Sequence, residues 1–134
     1  LPALCLSLIS DAAADQGWPL KDTHLLIAAH GSGRSPAPSE AARAMATALA
    51  PNVAAASCGF IEEAPYIADA AKGLPERTIC LPLFATRAEH VTDDLPEALT
   101  QAGFGGITLP PVGMAPAVPA LIAESIKAAL SGRP

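Results

Sequence analysis

The chain has 134 residues, 51% of them hydrophobic and 16% charged, with 30 alanines and 14 prolines. That supports one domain with its own core and excludes a disordered tail. Eight basic against thirteen acidic residues give a net charge of −5, which leaves no electrostatic footprint for nucleic acid, and no run reaches the roughly 18 apolar residues of a membrane span.

Residues 1–16 form an apolar helical stretch opened by Pro2, with neither the basic start nor the small-residue cleavage site of a secretory signal. Residues 1–9 can be laid on residues 118–126, with Pro, Ala, Leu and Ile coinciding at four positions. Two readings fit. The two segments are amphipathic helices opened alike by proline, or residues 1–16 are the last helix of a preceding, similar half. On the second reading residues 17–23 are a linker and residues 24–134 an α/β domain.

His24-Leu25-Leu26-Ile27-Ala28-Ala29 is a short apolar run that reads as a buried strand, ending at His30-Gly31-Ser32-Gly33. Ser35 to Pro38 carry helix-start chemistry, with proline tolerated in a first turn, and an alanine-rich helix is predicted over residues 40–50. A second strand is predicted over 53–60, a short helix over 64–72 stopped by Gly73, and a third strand over 77–83, leading to a loop with His90. Asp94-Leu95-Pro96-Glu97 reads as a capped helix start, and that helix is stopped by Gly103. Residues 107–109 form a fourth strand, and Pro116 and Pro119 open a last helix to about Leu130. Strands apolar on both faces and separated by helices predict an α/β domain: a flavodoxin-like, four-stranded parallel sheet with helices on both faces. Cys5, Cys58 and Cys80 lack Cys-x-x-Cys spacing and fall in apolar segments, so they read as core residues of a reduced, cytoplasmic protein.

In an open parallel sheet, ligands bind beyond the carboxyl ends of the strands, at the switch in strand order. His30 follows the first strand, Glu62 and Glu63 the second, and His90 the third. Two imidazoles and a carboxylate at adjacent strand ends suit a divalent metal without choosing among cobalt, iron, nickel, copper and zinc. Neutral imidazole also accepts a proton near neutral pH. His24, at the entry end of its strand, reads as structural. Gly31-Ser32-Gly33-Arg34-Ser35 lacks the Lys-Ser/Thr ending of a phosphate loop and the third glycine of a dinucleotide fingerprint. No Gly-x-Ser-x-Gly elbow is present, and no arginine precedes His30-Gly31 as in a histidine phosphatase.

Ile27-Ala28-Ala29-His30-Gly31-Ser32 resembles the opening motif of the small class II chelatases, the sirohydrochlorin cobaltochelatases and ferrochelatases. The more specific match is Leu81-Pro82-Leu83-Phe84, followed after a short loop by His90-Val91-Thr92-Asp93-Asp94-Leu95-Pro96. Gly59-Phe60-Ile61-Glu62 and Leu109-Pro110-Pro111-Val112-Gly113 are similar to further family segments. Two departures stand out: Ala88 where the family has glycine, and one residue fewer between Glu62 and Pro65.

The resemblance implies insertion of Co²⁺, Fe²⁺ or Ni²⁺ into sirohydrochlorin, on the route to cobalamin or sirohaem. No organic cofactor is implied, the metal being a substrate. It implies His30 and His90 as metal ligand and pyrrole-proton acceptor, in an order left open, with Glu62 (or Glu63) as the acidic partner. Ser32, Arg34, Ser35 and Arg87 are then candidates for the substrate's carboxylates, arginine because its fork can hold a carboxylate bidentately. Family members pair as homodimers or carry two similar halves in one chain. The alternative reading is a non-catalytic half that binds metal or tetrapyrrole and completes a partner's cleft.

Overall fold

The structure, a computed structural model, describes residues 2–31, 37–83 and 95–110, without the side chains of 37 and 38. It is an α/β fold whose four-stranded sheet is parallel throughout. The strands are β1 (His24–Ala29), β2 (Ala55–Phe60), β3 (Thr78–Leu83) and β4 (Ile107–Thr108), in spatial order β2-β1-β3-β4. The helices are α1 (Pro2–Gln16), α2 (Ala37–Leu49), α3 (Ile67–Ala71) and α4 (Leu95–Ala102).

The strand order explains the placement of the helices. From β1 the chain crosses outward to β2, then back over β1 to β3 and onward to β4. Right-handed crossovers in opposite directions put their helices on opposite faces. One core accordingly joins α1 and α2 to Leu25, Ile27, Phe60, Ile79 and Leu81, with Ile9 and Leu49 fully covered. The other joins α3 and α4 to Leu26, Ala28 and Cys80. Successive residues of β1 thus point to alternate faces, and both faces are buried, which is why the strand reads as continuously apolar.

The first strand occupies the predicted residues 24–29, and the other elements shift by a few residues at their ends. A 3₁₀ turn over Ala50–Asn52, in which Val53 N–H donates to the Ala50 carbonyl, delays the second strand, predicted over 53–60, to Ala55. The predicted helix over 64–72 shortens to Ile67–Ala71. Its would-be first turn is committed elsewhere: the Pro65 carbonyl accepts from Phe60 N–H at 2.9 Å, and Tyr66 is extended. Residues before proline are in any case biased away from the helical region. The predicted last helix over 116–130 and the Asp94 cap lie outside the described residues.

α1 buries Leu4, Cys5, Ile9, Ala12 and Ala13 on the sheet. Between it and β1, a 3₁₀ turn over Leu20–Asp22 is fixed by the Thr23 hydroxyl, which donates to the Pro19 carbonyl at 2.9 Å, and by Lys21 Nζ, which donates to the Pro51 carbonyl. Cys5, Cys58 and Cys80 are free and buried, as the sequence suggested. Among the described residues no helix is long and apolar enough to cross a membrane.

α3 approaches the sheet closely at one point. A Cβ on Gly59 would lie 2.9 Å from Ile67 Cα and 3.0 Å from Ala70 Cβ. Gly59→Ala should therefore push α3 off β2 and cost about 1–3 kcal/mol of overpacking, read as a lower urea midpoint; an unchanged midpoint would refute the close approach. His24 offers a second test. Its Nε2 lies 3.1 Å from Ser57 Oγ, and burial holds its pKa below the ordinary imidazole value. The unfolded chain takes up this proton as pH falls through about 6.5, while the folded chain resists it, so stability drops on the acid side of that value. His24→Gln should lose less stability than the wild type between pH 7.5 and 5.5 in urea titrations; an equal loss in both would count against it.

Candidate functional site

β1 is hydrogen-bonded to β2 on one edge and to β3 on the other, so its carboxyl end is the switch point of the sheet. Ala29 has Phe60 and Leu83 as its register partners. The next residue, His30, emerges between two strand ends. Its carbonyl accepts from Ile61 N–H at 3.2 Å and from Glu62 N–H at 2.9 Å. The segment after β2 is thereby stitched to the segment after β1. That stitch carries the Glu62 carboxylate to the imidazole, with Oε1 3.6 Å from His30 Nε2.

The imidazole is oriented from its other side. Nδ1 lies 3.0 Å from the Gly31 carbonyl oxygen. A carbonyl only accepts, so Nδ1 carries the hydrogen, and in the neutral ring the lone pair is on Nε2. That nitrogen is the one turned toward Glu62. The His30 side chain is 40% exposed and that of Glu62 52%, so a ligand can reach both. A lone pair held in place by a hydrogen bond at the opposite ring nitrogen is the arrangement of a metal-binding or proton-accepting histidine.

Glu63 sits differently. Gly31 has φ +69°, and a Cβ there would lie 2.9 Å from both Cγ and Oε1 of Glu63 and 3.0 Å from Phe60 Cβ. The Glu63 side chain thus lies against the Gly31 backbone, where only a glycine leaves it room. Of the two adjacent acids, Glu62 faces the imidazole and Glu63 packs under the turn that carries it. Beyond Ile61, toward α3 and α4, an apolar cavity of about 300 Å³ is lined by Phe60, Ile61, Tyr66, Ile67, Ala68 and Ala98.

β3 ends at Leu83, alongside Ala29. His90 and Arg87, which follow it in sequence, lie outside the described residues, as do Ser32, Arg34 and Ser35. Among the described residues no group of three or more histidine, cysteine or acidic side chains is placed to hold a metal. Cys80 is fully buried within β3, among the residues packed by α3 and α4, and burial pushes its thiol up to about 12. His24 stands at the opposite end of β1, as its sequence position implied. One feature near the site escaped the sequence reading. Arg43, the only basic residue of α2, holds its guanidinium 5.2 Å from the centre of the Phe60 ring. Its signal in the sequence is a lone cation in an alanine-rich helix, which says nothing of what it covers.

A parallel sheet that presents an oriented imidazole beside a carboxylate at its switch point has the architecture of the lobe that the motifs resemble. The family model described as CbiX matches residues 24–129. The chain belongs to the CbiX family. A solved structure of CbiX, described as the terminal enzyme for biosynthesis of siroheme in denitrifying bacteria, is 76% identical, with a TM-score of 0.90. The alignment covers 96% of this chain and 57% of that one, so this chain spans little more than half of that relative's length. A CbiX protein of cobalamin (vitamin B12) biosynthesis from Marinobacter aquaeolei VT8 shares the fold, with a TM-score of 0.62 at 22% identity over 82% of this chain and 97% of that one. No curated protein sequence matches the chain.

Gly31→Ala tests the support of the site. The left-handed conformation costs a residue with a side chain about 1–2 kcal/mol, and the new methyl displaces Glu63. We expect a lower thermal midpoint and a changed His30 imidazole resonance in NMR. An unaltered resonance would show that the turn does not position the ring.

Proposed function

We propose that this chain inserts a divalent metal ion, Co²⁺ or Fe²⁺ with Ni²⁺ as a further candidate, into sirohydrochlorin, in siroheme or cobalamin biosynthesis. The observation that carries the proposal is the His30 ring, hydrogen-bonded through Nδ1 to the Gly31 carbonyl with Nε2 beside Glu62. Family membership and the 76% identical siroheme-pathway relative support it.

The reaction exchanges one divalent ion for the two pyrrole N–H protons of the macrocycle. It needs a group that gives up the ion at the ring centre and a group that accepts protons there. The Nε2 lone pair of His30 can do either, and His90 takes the other role. Glu62 adds negative charge beside the imidazole, which favours an arriving cation. Glu63, packed on Gly31, holds the turn. Ser32, Arg34, Ser35 and Arg87 bind substrate carboxylates. A second lobe, from an identical chain or a similar half, closes the cleft over the macrocycle, in the cytoplasm.

His30→Ala should slow metal insertion by about 100-fold or more while leaving the thermal midpoint nearly unchanged, because the side chain is 40% exposed. Glu62→Gln should slow it by about 10-fold, as expected of a group that tunes a ligand. Anaerobic mixing with sirohydrochlorin and each metal in turn, followed by macrocycle absorbance, reads both. Wild-type rates in His30→Ala would sink the assignment. Macrocycle binding without insertion by the unaltered chain would instead indicate a non-catalytic half.

A further inference from the structure

We propose that Arg43 anchors a peripheral carboxylate of the bound tetrapyrrole and so helps set its position over His30. The inference rests on the function proposed above and adds to it a residue from outside the sequence motifs.

Arg43 lies on the exposed side of α2, with its guanidinium over the ring of Phe60. Phe60 is the last residue of β2 and the register partner of Ala29, and it directly precedes the Ile61–Glu62 segment stitched to His30. Its Cβ also lies 3.0 Å from the position of a Cβ on Gly31. The cation and the His30 turn thus meet the same residue, the one at the Phe60 ring and the other at its Cβ, on the flank formed by the outer strand.

Two properties set Arg43 apart from an ordinary surface charge. Among the described residues no carboxylate forms a salt bridge with the guanidinium. The ring beneath it is fully buried, which limits the directions open to the guanidinium. A guanidinium restrained on an aromatic face gives up less freedom when it grips a carboxylate than one on a free stem.

The ligand chemistry fits. A chain with net charge −5 does not attract a polycarboxylate at long range, so binding depends on local cations that lack internal partners. A macrocycle centred over His30 extends its acidic side chains radially, toward positions such as that of Arg43. A residue at this distance from the ring centre acts on binding and orientation and takes no part in proton or metal transfer.

The test compares Arg43→Met with Arg43→Lys. Metal-free sirohydrochlorin is titrated into each protein and followed by its fluorescence, with the fully methyl-esterified macrocycle as the uncharged probe. Insertion kinetics are measured alongside. Arg43→Met should weaken binding of the acid by about 10-fold, the scale of one charge-assisted pair. It should bind the ester as the wild type does, and raise KM with kcat nearly unchanged. Arg43→Lys, which keeps the charge and loses the fork, should fall between them. Equal affinity of Arg43→Met and wild type for the acid would overturn the assignment. So would an equal loss toward acid and ester, since that would mark Arg43 as packing for Phe60 only. Failure of the wild type to bind sirohydrochlorin would overturn the function and the anchor together, and is told apart by the wild-type titration alone.

Discussion

The site depends on the position of β1, paired on both edges and covered on both faces. A strand so placed cannot shift register without breaking two parallel ladders and exchanging the residues that face two separate cores. Its last residue is therefore fixed between the ends of β2 and β3, and His30 inherits that position. The His30 carbonyl, the first beyond the ladder, then accepts the two amides that draw in Glu62. The imidazole–carboxylate pair is thus a continuation of the sheet's own hydrogen bonding beyond its edge, built on the most constrained strand of the fold.

The division of labour within Glu62-Glu63 follows from the same geometry. Adjacent residues leaving a strand point in different directions, so only one of the two acids can face the ring. The other fills the space above Gly31, where the positive φ and the missing side chain leave room. The hydrogen bond at Nδ1 completes the arrangement by leaving the Nε2 lone pair on the side of the carboxylate. A ligand approaching from beyond the strand ends meets an oriented nitrogen base, and the thiol of Cys80 stays protonated in the core behind it.

The elements legible in the sequence were those written in local chemistry. The run Leu25–Ala29 is apolar throughout because both of its faces are covered, and the strand has the predicted bounds His24–Ala29. The helix over residues 40–50 was recognised, and begins earlier, at Ala37, because proline is compatible with a first turn. The helix predicted over 64–72 begins only at Ile67, because the Pro65 carbonyl accepts from Phe60 N–H, a contact that no local preference encodes. Of the site, the motifs pointed to His30 and to an acid at 62 or 63. Arg43 stayed hidden, since a single arginine on an alanine-rich helix carries no mark of the ring it lies over.

By itself the sequence determined the α/β class, the apolar strands, the resemblance to class II chelatases and the histidine at the end of the first strand. These follow from periodicity, from proline and glycine constraints and from short motifs, all properties of neighbouring residues. Only the tertiary structure decided that Glu62 rather than Glu63 meets the imidazole, that Gly31 makes room for Glu63, and that Arg43 flanks the site over Phe60. Each of these joins segments on different strands or on a strand and a helix. Their meeting is set by ladder register and crossover handedness, which act between distant parts of the chain.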